Sequence, residues 1–146
     1  MSKDWYTDIQ EFHKVVMQDK FPTKPYVPSR SLVELRMKLI EEETLETLDS
    51  LYLFDPPRTA EDCVVRGLAE LADGIVDSIV VLLGTAVTFG IDIRPIWNII
   101  HATNMAKEDG PVRPDGKKLK PEGWKPPDVV SEIRRQRNGS SPNSSN

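Results

Sequence analysis

The stretch GLAELADGIVDSIVVLLGTAVTFGI, residues 67–91, decides the fold of this chain. Its only charged residues are Glu70, Asp73 and Asp77, which follow one another at positions i, i+3 and i+7 and therefore share one face of a helix. Apolar side chains surround that face, which predicts a helix packed on several sides with its carboxylates at least partly enclosed. We expect this helix to run from Thr59 to Phe89, with Gly90 as its C-terminal stop.

The rest of the chain predicts three more main helices and one short one. Ser31 followed by Glu34 has the pattern of a capping box, and Asp92 can cap a later helix that tolerates Pro95 in its first turn. Neither a strand pattern nor an internal repeat is convincing. The fold class is therefore all-α, a bundle of four main helices. The predicted helices span residues 4–20, 31–54, 59–89 and 92–107, with a short last helix at 128–137 and a Pro-, Gly- and Lys-rich loop at 108–127.

Length and composition indicate one soluble domain, residues 1–137, with a disordered low-complexity tail at 138–146. The 146 residues carry a net charge of -4, which gives no electrostatic reason to expect nucleic-acid binding. A single cysteine, Cys63, excludes an internal disulfide and a cysteine-cage metal site. The longest uncharged apolar run, 78–91, is shorter than the ~20 residues that a membrane span needs. We expect a cytoplasmic protein without a membrane partner, located in the host cytoplasm if a phage encodes it.

A second acidic group lies in the predicted second helix. Leu32, Leu35 and Leu39 are spaced by three and four residues and predict an inward-facing seam. The same spacing continues to Glu42 and Glu46, and Glu43 lies beside them, ~100° around the helix from Glu42. The seam therefore becomes acidic halfway along the helix.

Six carboxylates on two packed helices repel one another and are costly to bury, and a divalent cation relieves both problems. All the candidate ligands are oxygens, which favours Mg²⁺, or Mn²⁺ as a substitute, over zinc. Because Mg²⁺ prefers to share its coordination sphere with substrate phosphates, the site also implies a polyphosphate substrate. The metal-ligand candidates are Glu42, Glu43, Glu46, Glu70, Asp73 and Asp77.

Three other interpretations of the acidic residues stay open. The run Glu41–Glu43 is also typical of a solvated helix face. A buried salt-bridge network would need a cation, and the predicted third helix offers only Arg66 nearby. A di-iron bundle would need a Glu-x-x-His pair, and neither His13 nor His101 follows a glutamate at that spacing.

The ordered motifs of the chain resemble a known family. EExxE at Glu42–Glu46 is followed about two dozen residues later by ExxD at Glu70–Asp73, and both occur in the MazG-like all-α nucleoside triphosphate pyrophosphohydrolases. That superfamily also includes phosphoribosyl-ATP pyrophosphohydrolase and the dimeric dUTPases. The chain resembles most a phage and bacterial branch related to phosphoribosyl-ATP pyrophosphohydrolase. The resemblance covers about residues 8–128 and rests on the segments LRMKLIEEETLE, ELADGIVDSIVVLLGTAVTFGID, HATNMAK and DGKKLKPEGWKPPD.

The resemblance implies hydrolysis between the α and β phosphates of a nucleotide, with two or more Mg²⁺ ions per site. Glu43, Glu46 and the pair Glu70 and Asp73 match the metal ligands of the family. Glu42 matches the first glutamate of the motif and binds a further ion or positions water. Asp77 lies outside the minimal motif but on the same face. The candidate catalytic residues are Glu42, Glu43 and Asp77, and Glu42 or Asp77 would accept the proton of the attacking water.

Substrate-binding residues are also implied. Asn104 and Lys107 match the NMxK segment of the family, although a lysine at a helix end also interacts with the helix dipole. Three lysines follow in the loop, and the sequence does not choose among them. On the first helix, aromatic side chains are expected to border the base, with a core role as the alternative for Phe12. The phosphate and sugar candidates are Asn104, Lys107, Lys117, Lys118 and Lys120, and the base-pocket candidates are Trp5, Phe12 and His13.

The apolar third helix has too few neighbours in one copy to cover it, so a homo-oligomer, dimer or tetramer, is expected. The leading function is nucleotide-pool sanitation or shaping of the deoxynucleotide pool by a nucleoside triphosphate pyrophosphatase, for instance one that removes dGTP. An alternative is phosphoribosyl-ATP hydrolysis, although the Asp-Leu-Leu-Tyr-His stretch expected there is replaced by Asp-Ser-Ile-Val-Val at 77–81. The third possibility is a non-enzymatic helical adaptor with a metal-stabilised core.

Overall fold

The chain folds into α-helices, as a computed structural model that describes residues 4–57 and 59–139 shows. Within those residues there is no strand, only an isolated bridge between Val112 and Lys118. The all-α prediction is therefore confirmed. Of the predicted tail at 138–146, Asn138 is the last residue of α5 and Gly139 its C-cap, and the residues from 140 onward lie outside the described part of the chain. The helices are α1 (Trp5–Val15), α2 (Arg30–Tyr52), α3 (Glu61–Thr88), α4 (Ile93–Met105) and α5 (Val129–Asn138).

The helix ends follow the local capping chemistry. Asp92 accepts a hydrogen bond from the Arg94 N–H at the start of α4, as predicted. The predicted capping box at the start of α2 is wrong, because the cap is Ser29, whose hydroxyl accepts from the Leu32 N–H. Glu34 instead accepts a hydrogen bond from the Arg30 guanidinium one turn earlier, at 2.7 Å. The first helix is also shorter than predicted and ends at Val15.

The described residues form two compact units, one within residues 4–22 and 26–90 and the other within residues 23–25 and 91–139. In the first unit α2 packs against α3 through polar groups, which corrects the predicted leucine seam. Arg36 is 8% exposed and donates to the Thr85 hydroxyl at 3.0 Å and to the Val81 carbonyl at 2.5 Å. Leu35, by contrast, is half exposed. The face of α2 that meets α3 is therefore partly polar, while Leu32 and Leu39 of the predicted seam are partly buried.

The helix α1 packs against α3 beside Gly84. His13 of α1 is 5% exposed, and its Nδ1 lies 3.0 Å from a carboxylate oxygen of Asp19. A Cβ added at Gly84 would lie 2.8 Å both from Nε2 of His13 and from a terminal nitrogen of Arg36. Because a real side chain cannot come that close, Gly84 allows α1 and α2 to approach α3 at the same level.

Much of α3 is uncovered in the single chain, which corrects the prediction that its carboxylates are enclosed. Glu70 and Asp73 are exposed and Asp77 is half-buried, because α1 and α2 cover only part of the helix. By length and composition alone α3 could cross a membrane, and 22% of its most apolar window is buried. One such helix is weak evidence for a membrane span, since core helices of soluble proteins pass the same test.

In the second unit, the Gln136 side chain of α5 forms hydrogen bonds with the backbone of Asp92 at the start of α4. The Gln136 amide donates to the Asp92 carbonyl at 2.8 Å, and its oxygen accepts from the Asp92 N–H at 3.0 Å. Between these helices the loop turns back on itself, with the Leu119 N–H donating to the Pro111 carbonyl at 2.8 Å. The Gln136 side-chain oxygen thereby satisfies the N–H of Asp92, which has no partner within α4.

Candidate metal centre

An acidic cleft of about 320 Å³ lies between α2 and α3 in the first unit. Four of the six predicted metal ligands line it. Glu70, Asp73 and Asp77 span two turns of α3, and Glu46 lies on α2. The cleft is open, and its floor includes Gly74, where a Cβ would lie 3.1 Å from the Thr47 hydroxyl. The helices therefore come close together beneath the carboxylates. The lining residues are Glu46, Asp49, Ser50, Leu53, Glu70, Asp73, Gly74 and Asp77.

Asp49 is the acidic residue of this cleft that the motifs miss. It follows Glu46 by three residues and Glu42 by seven, so it shares their side of α2. That spacing could have identified it, because Glu42, Glu46 and Asp49 stand at i, i+4 and i+7, which places them on one side of α2 as the i, i+3, i+7 spacing places the three acidic residues of α3. The EExxE motif ends at Glu46 and therefore leaves Asp49 out.

Glu43 does not line the cleft but lies within its electrostatic field. Partial burial raises the pKa of its carboxyl group above the usual value, and the nearby negative charges of Glu46, Asp77, Glu42 and Asp73 raise it further. Its backbone carbonyl accepts hydrogen bonds from the hydroxyls of Ser78, at 3.1 Å, and Thr47, at 2.9 Å. These hydroxyls tie the middle of α2 to α3 at the level of the acidic residues.

Across residues 4–57 and 59–139, Glu43 and the five lining carboxylates form no ion pair with a lysine, arginine or histidine. Glu42 differs, because an exposed Lys38 lies 3.7 Å from it on the same helix. The buried salt-bridge network that the sequence left open is thus not present in the described part of the chain. Among the described residues, therefore, no cationic side chain pairs with the carboxylates that line the cleft.

The donor set fits a hard divalent cation. All its ligating atoms are carboxylate oxygens, on two helices that the Thr47–Ser78 contact of 2.9 Å holds together. In the described residues, however, no three acidic, histidine or cysteine side chains converge closely enough to hold an ion as they stand. The carboxylates would have to rotate inward, which exposed side chains on a helix surface do at little cost.

A second cleft of about 280 Å³, almost wholly apolar, lies between α1 and α3 in the same unit. Trp5, the first of the three base-pocket candidates, lines it and is 68% exposed. His13 is buried against Asp19, and the exposed Phe12 meets the His13 ring edge-on at 6.0 Å. The structure therefore brings Trp5 to a cavity and places His13 in a structural contact. The lining residues are Trp5, Asp8, Ile9, Val76, Ile79, Val80 and Leu83.

The candidate phosphate ligands all belong to the second unit. The Lys107 ammonium donates to the Asn104 side-chain oxygen at 2.7 Å. Lys120 lies against Trp124, with its ammonium 4.2 Å from the centre of the indole ring. Lys117 and Lys118 are exposed in the turn of the loop. Three of the five candidates, Asn104, Lys107 and Lys120, are thus linked by contacts with one another or with Trp124. The other two, Lys117 and Lys118, lie in the turn.

Comparison with known proteins places the chain in a family. No match to the chain was found among curated proteins. The family model for phosphoribosyl-ATP pyrophosphohydrolase matches residues 9–104, which contain α2, α3 and every residue of the acidic cleft. The match covers about two thirds of the chain and agrees with the helical fold and the order of the two acidic motifs. The chain therefore belongs to the phosphoribosyl-ATP pyrophosphohydrolase family, whose enzymes are pyrophosphohydrolases of a metal-dependent type within the MazG-like superfamily.

Proposed function

We propose that the protein is a Mg²⁺-dependent pyrophosphohydrolase that converts nucleoside or deoxynucleoside triphosphates into monophosphates and pyrophosphate. The observation that carries this proposal is the acidic cleft between α2 and α3, whose five carboxylates have no cationic partner in the described part of the chain. The cleft lies within the segment that matches the family. Uncompensated carboxylates on a pyrophosphohydrolase scaffold support a metal-assisted reaction on a phosphate ester.

The chain's own side chains have separable roles in this proposal. Glu46, Glu70 and Asp73 of the cleft, with Glu43 beside them, would hold the cation, and Asp77 would either join them or stay free to accept a proton. When bound, Mg²⁺ supplies positive charge against the phosphates and makes water a better nucleophile. Asp49 extends the same acidic surface and joins the proposed set.

The proposed reaction is attack of water at the α-phosphorus. The water oxygen bonds to that phosphorus, the bond from it to the α–β bridging oxygen breaks, and the electron pair leaves with pyrophosphate. Glu42 or Asp77 accepts the proton that the water loses. Asp77 is the better placed of the two, because it lines the cleft, whereas Glu42 is 3.7 Å from the Lys38 ammonium.

Substrate recognition is proposed from two further groups. Asn104 and Lys107, with one lysine of the following loop, contact phosphate or sugar oxygens. Trp5 supplies an aromatic surface for the base at the apolar cleft of α1 and α3, which suits a large flat base such as a purine, for instance that of dGTP. His13 supports α1 from its buried contact with Asp19.

Phosphoribosyl-ATP is the second candidate substrate, favoured by the name of the matching family. It is a nucleotide cut at the same bond, so the acidic cleft serves either substrate. The sequence Asp-Ser-Ile-Val-Val at 77–81 departs from the Asp-Leu-Leu-Tyr-His stretch that the resemblance implies for that enzyme, which weighs against it.

Product analysis tests the proposal. The full chain is incubated with a panel of ribo- and deoxyribonucleoside triphosphates and with phosphoribosyl-ATP, with Mg²⁺ and with EDTA. Monophosphate plus pyrophosphate, formed only with Mg²⁺, is expected from a nucleoside triphosphate. Orthophosphate plus diphosphate would contradict attack at the α-phosphorus, and Mg²⁺ binding without turnover would favour the adaptor.

Two variants of the EEE run make the assay specific. Glu43→Gln removes a proposed ligand and should lower kcat about 100-fold or more. Glu41→Gln is the matched control, since Glu41 is exposed and does not line the cleft. Full activity in Glu43→Gln would contradict the metal assignment.

A further inference from the structure

The second unit holds an indole ring in a fixed place at the end of α4. Residues 121–124 form a turn closed by a hydrogen bond of 3.2 Å from the Trp124 N–H to the Pro121 carbonyl. Gly123 occupies its third position with φ at +76°, which a residue with a side chain rarely adopts. This turn directs Trp124 back to α4, where its indole N–H donates to the Thr103 carbonyl at 3.0 Å. That carbonyl is in the last helical turn and lacks a partner within the helix.

Two ammonium groups approach this ring. The Lys120 ammonium lies 4.2 Å from the ring centre and that of Lys107 lies 5.7 Å from it, both within the range of cation–π attraction. Lys107 is also fixed by its 2.7 Å hydrogen bond to Asn104. Side chains from the end of α4 and from the loop therefore both approach the indole ring of Trp124.

This pair of cations lacks a carboxylate within the part of the chain that the structure describes, since neither lysine forms an ion pair there. Two like charges at one ring repel each other, and the face of an indole offsets only part of that repulsion. An anion with more than one charge would offset the rest.

The other two loop lysines are placed differently. Lys117 and Lys118 are in the turn that brings the Arg113 N–H to the Lys117 carbonyl at 2.8 Å, and both side chains are exposed. Lys117 and Lys118 make no contact with Trp124. The structure thus separates Lys120 from its neighbours, although the sequence places the three lysines within four residues of one another.

We propose that Trp124 is a positioning residue that holds the ammonium groups of Lys107 and Lys120 as a paired site for an oligophosphate of the pyrophosphate class. Two adjacent phosphoryl groups present negatively charged oxygens to both cations at once, which a single small anion does less well. The identification of the anion rests on the proposed function, whereas the gathering of the two lysines rests on the geometry of the second unit.

The test measures binding and not turnover. Inorganic pyrophosphate alone is titrated into the full chain by isothermal calorimetry, in EDTA and at low ionic strength. Lys107→Gln and Lys120→Gln should each weaken the Kd about tenfold, because each removes a charge-assisted contact. Lys117→Gln and Lys118→Gln are matched controls of the same charge change in the same loop, and each should weaken it less than twofold.

Two substitutions of Trp124 separate positioning from folding. Trp124→Phe keeps an aromatic face and should retain the Kd within about twofold. Trp124→Leu keeps apolar bulk without that face and should weaken the Kd about fivefold. Circular dichroism checks that both variants keep the helical content of the parent chain. Adding Lys120→Gln to Trp124→Leu should weaken binding by less than the product of the two single effects, since Trp124 acts through the lysine.

Several results would overturn the inference. These are absence of pyrophosphate binding, equal weakening in the Lys117→Gln control, and a folded Trp124→Leu chain that binds as tightly as the parent. Because no metal or nucleotide is present, a chain that binds pyrophosphate in this way but hydrolyses nothing contradicts only the proposed function. A chain that hydrolyses nucleotides with unchanged pyrophosphate affinity in Lys120→Gln contradicts only the present inference.

Discussion

Each carboxylate of the cleft between α2 and α3 is held near others of the same sign. Asp73 and Asp77 stand one turn apart on α3, and Glu46 and Asp49 face them from α2. Without a cation these like charges oppose folding, and the proposed Mg²⁺ would reverse their effect. The same side chains therefore have opposite effects on stability in the two conditions, which an ordinary surface carboxylate does not.

Neutralising Glu70 should reveal this reversal. In EDTA, Glu70→Gln should raise the Tm by about 3 °C, because it removes a like charge. In Mg²⁺ the parent chain should gain stability on binding the ion, and the variant should gain less. Thermal unfolding followed by circular dichroism measures both conditions. Glu41→Gln, an exposed residue outside the cleft, should show the same Mg²⁺ response as the parent. A parent chain whose Tm does not respond to Mg²⁺ would contradict the metal site.

Spacing along one helix was enough to predict part of this site. Glu70, Asp73 and Asp77 were expected on one face because 3.6 residues make a turn, and they do line one cleft. The sequence could not distinguish Lys120 from the other two lysines of the loop. It depends on the turn at 121–124, which brings Trp124 back to α4, and no periodicity records how a loop of that kind closes.

At the scale of helices, the α2–α3 contact shows why the leucine pattern misled. The rule that apolar residues face inward assumes an apolar partner, but α3 offers Gly74 and Ser78 at this contact. Small and hydroxyl-bearing residues let the backbones approach, so Thr47 and Glu43 of α2 meet them. The sequence of α2 alone does not show which residues of α3 it will contact. The number of helices and their approximate ends, by contrast, were predicted from the chain alone.

The attachment of α1 should weaken in mild acid. Burial lowers the pKa of His13 below its usual value, and the contact with Asp19 opposes this only in part, while the nearby Arg36 lowers it further. The unfolded chain therefore binds more protons than the folded chain below pH 6.5. The contribution of this contact to the free energy of unfolding should have its full value above that pH. It should fall as the pH drops through 6.5 toward the lower pKa of His13 in the folded state.

Urea denaturation at pH 7.5, 6.5 and 5.5 measures this dependence. His13→Gln removes the titrating group and should flatten the loss of stability between pH 6.5 and 5.5, although it costs stability at pH 7.5. His101→Gln is the control, because His101 is exposed on α4 and its replacement should leave the slope unchanged. An unchanged slope in His13→Gln would show that another group causes the acid sensitivity.

At the scale of the whole molecule, exposed apolar side chains lie on the side of α3 that α1 and α2 leave uncovered. Leu68, Ile75 and Leu82 recur every seven residues and are 52%, 44% and 51% exposed. A repeat of seven places them in one stripe along the helix. Such a stripe is costly in water, and the oligomer predicted from the sequence would cover it with a second copy. The apolar composition of α3 as a whole would also suit a membrane span.

Substitution within the stripe distinguishes these two outcomes. The parent chain should be recovered without detergent, and light scattering coupled to size-exclusion chromatography should give the mass of a dimer or tetramer. Leu82→Glu should shift that mass toward 16.5 kDa, the mass of one chain, because it places a charge in the contact. Val130→Glu, a similarly exposed position on α5, should leave the mass unchanged. A parent chain that is already monomeric would contradict the oligomer, and one that requires detergent would favour a membrane-bound α3. Since Leu82 does not line the acidic cleft, Mg²⁺ binding that survives in a folded monomer would further place the metal ligands within a single copy.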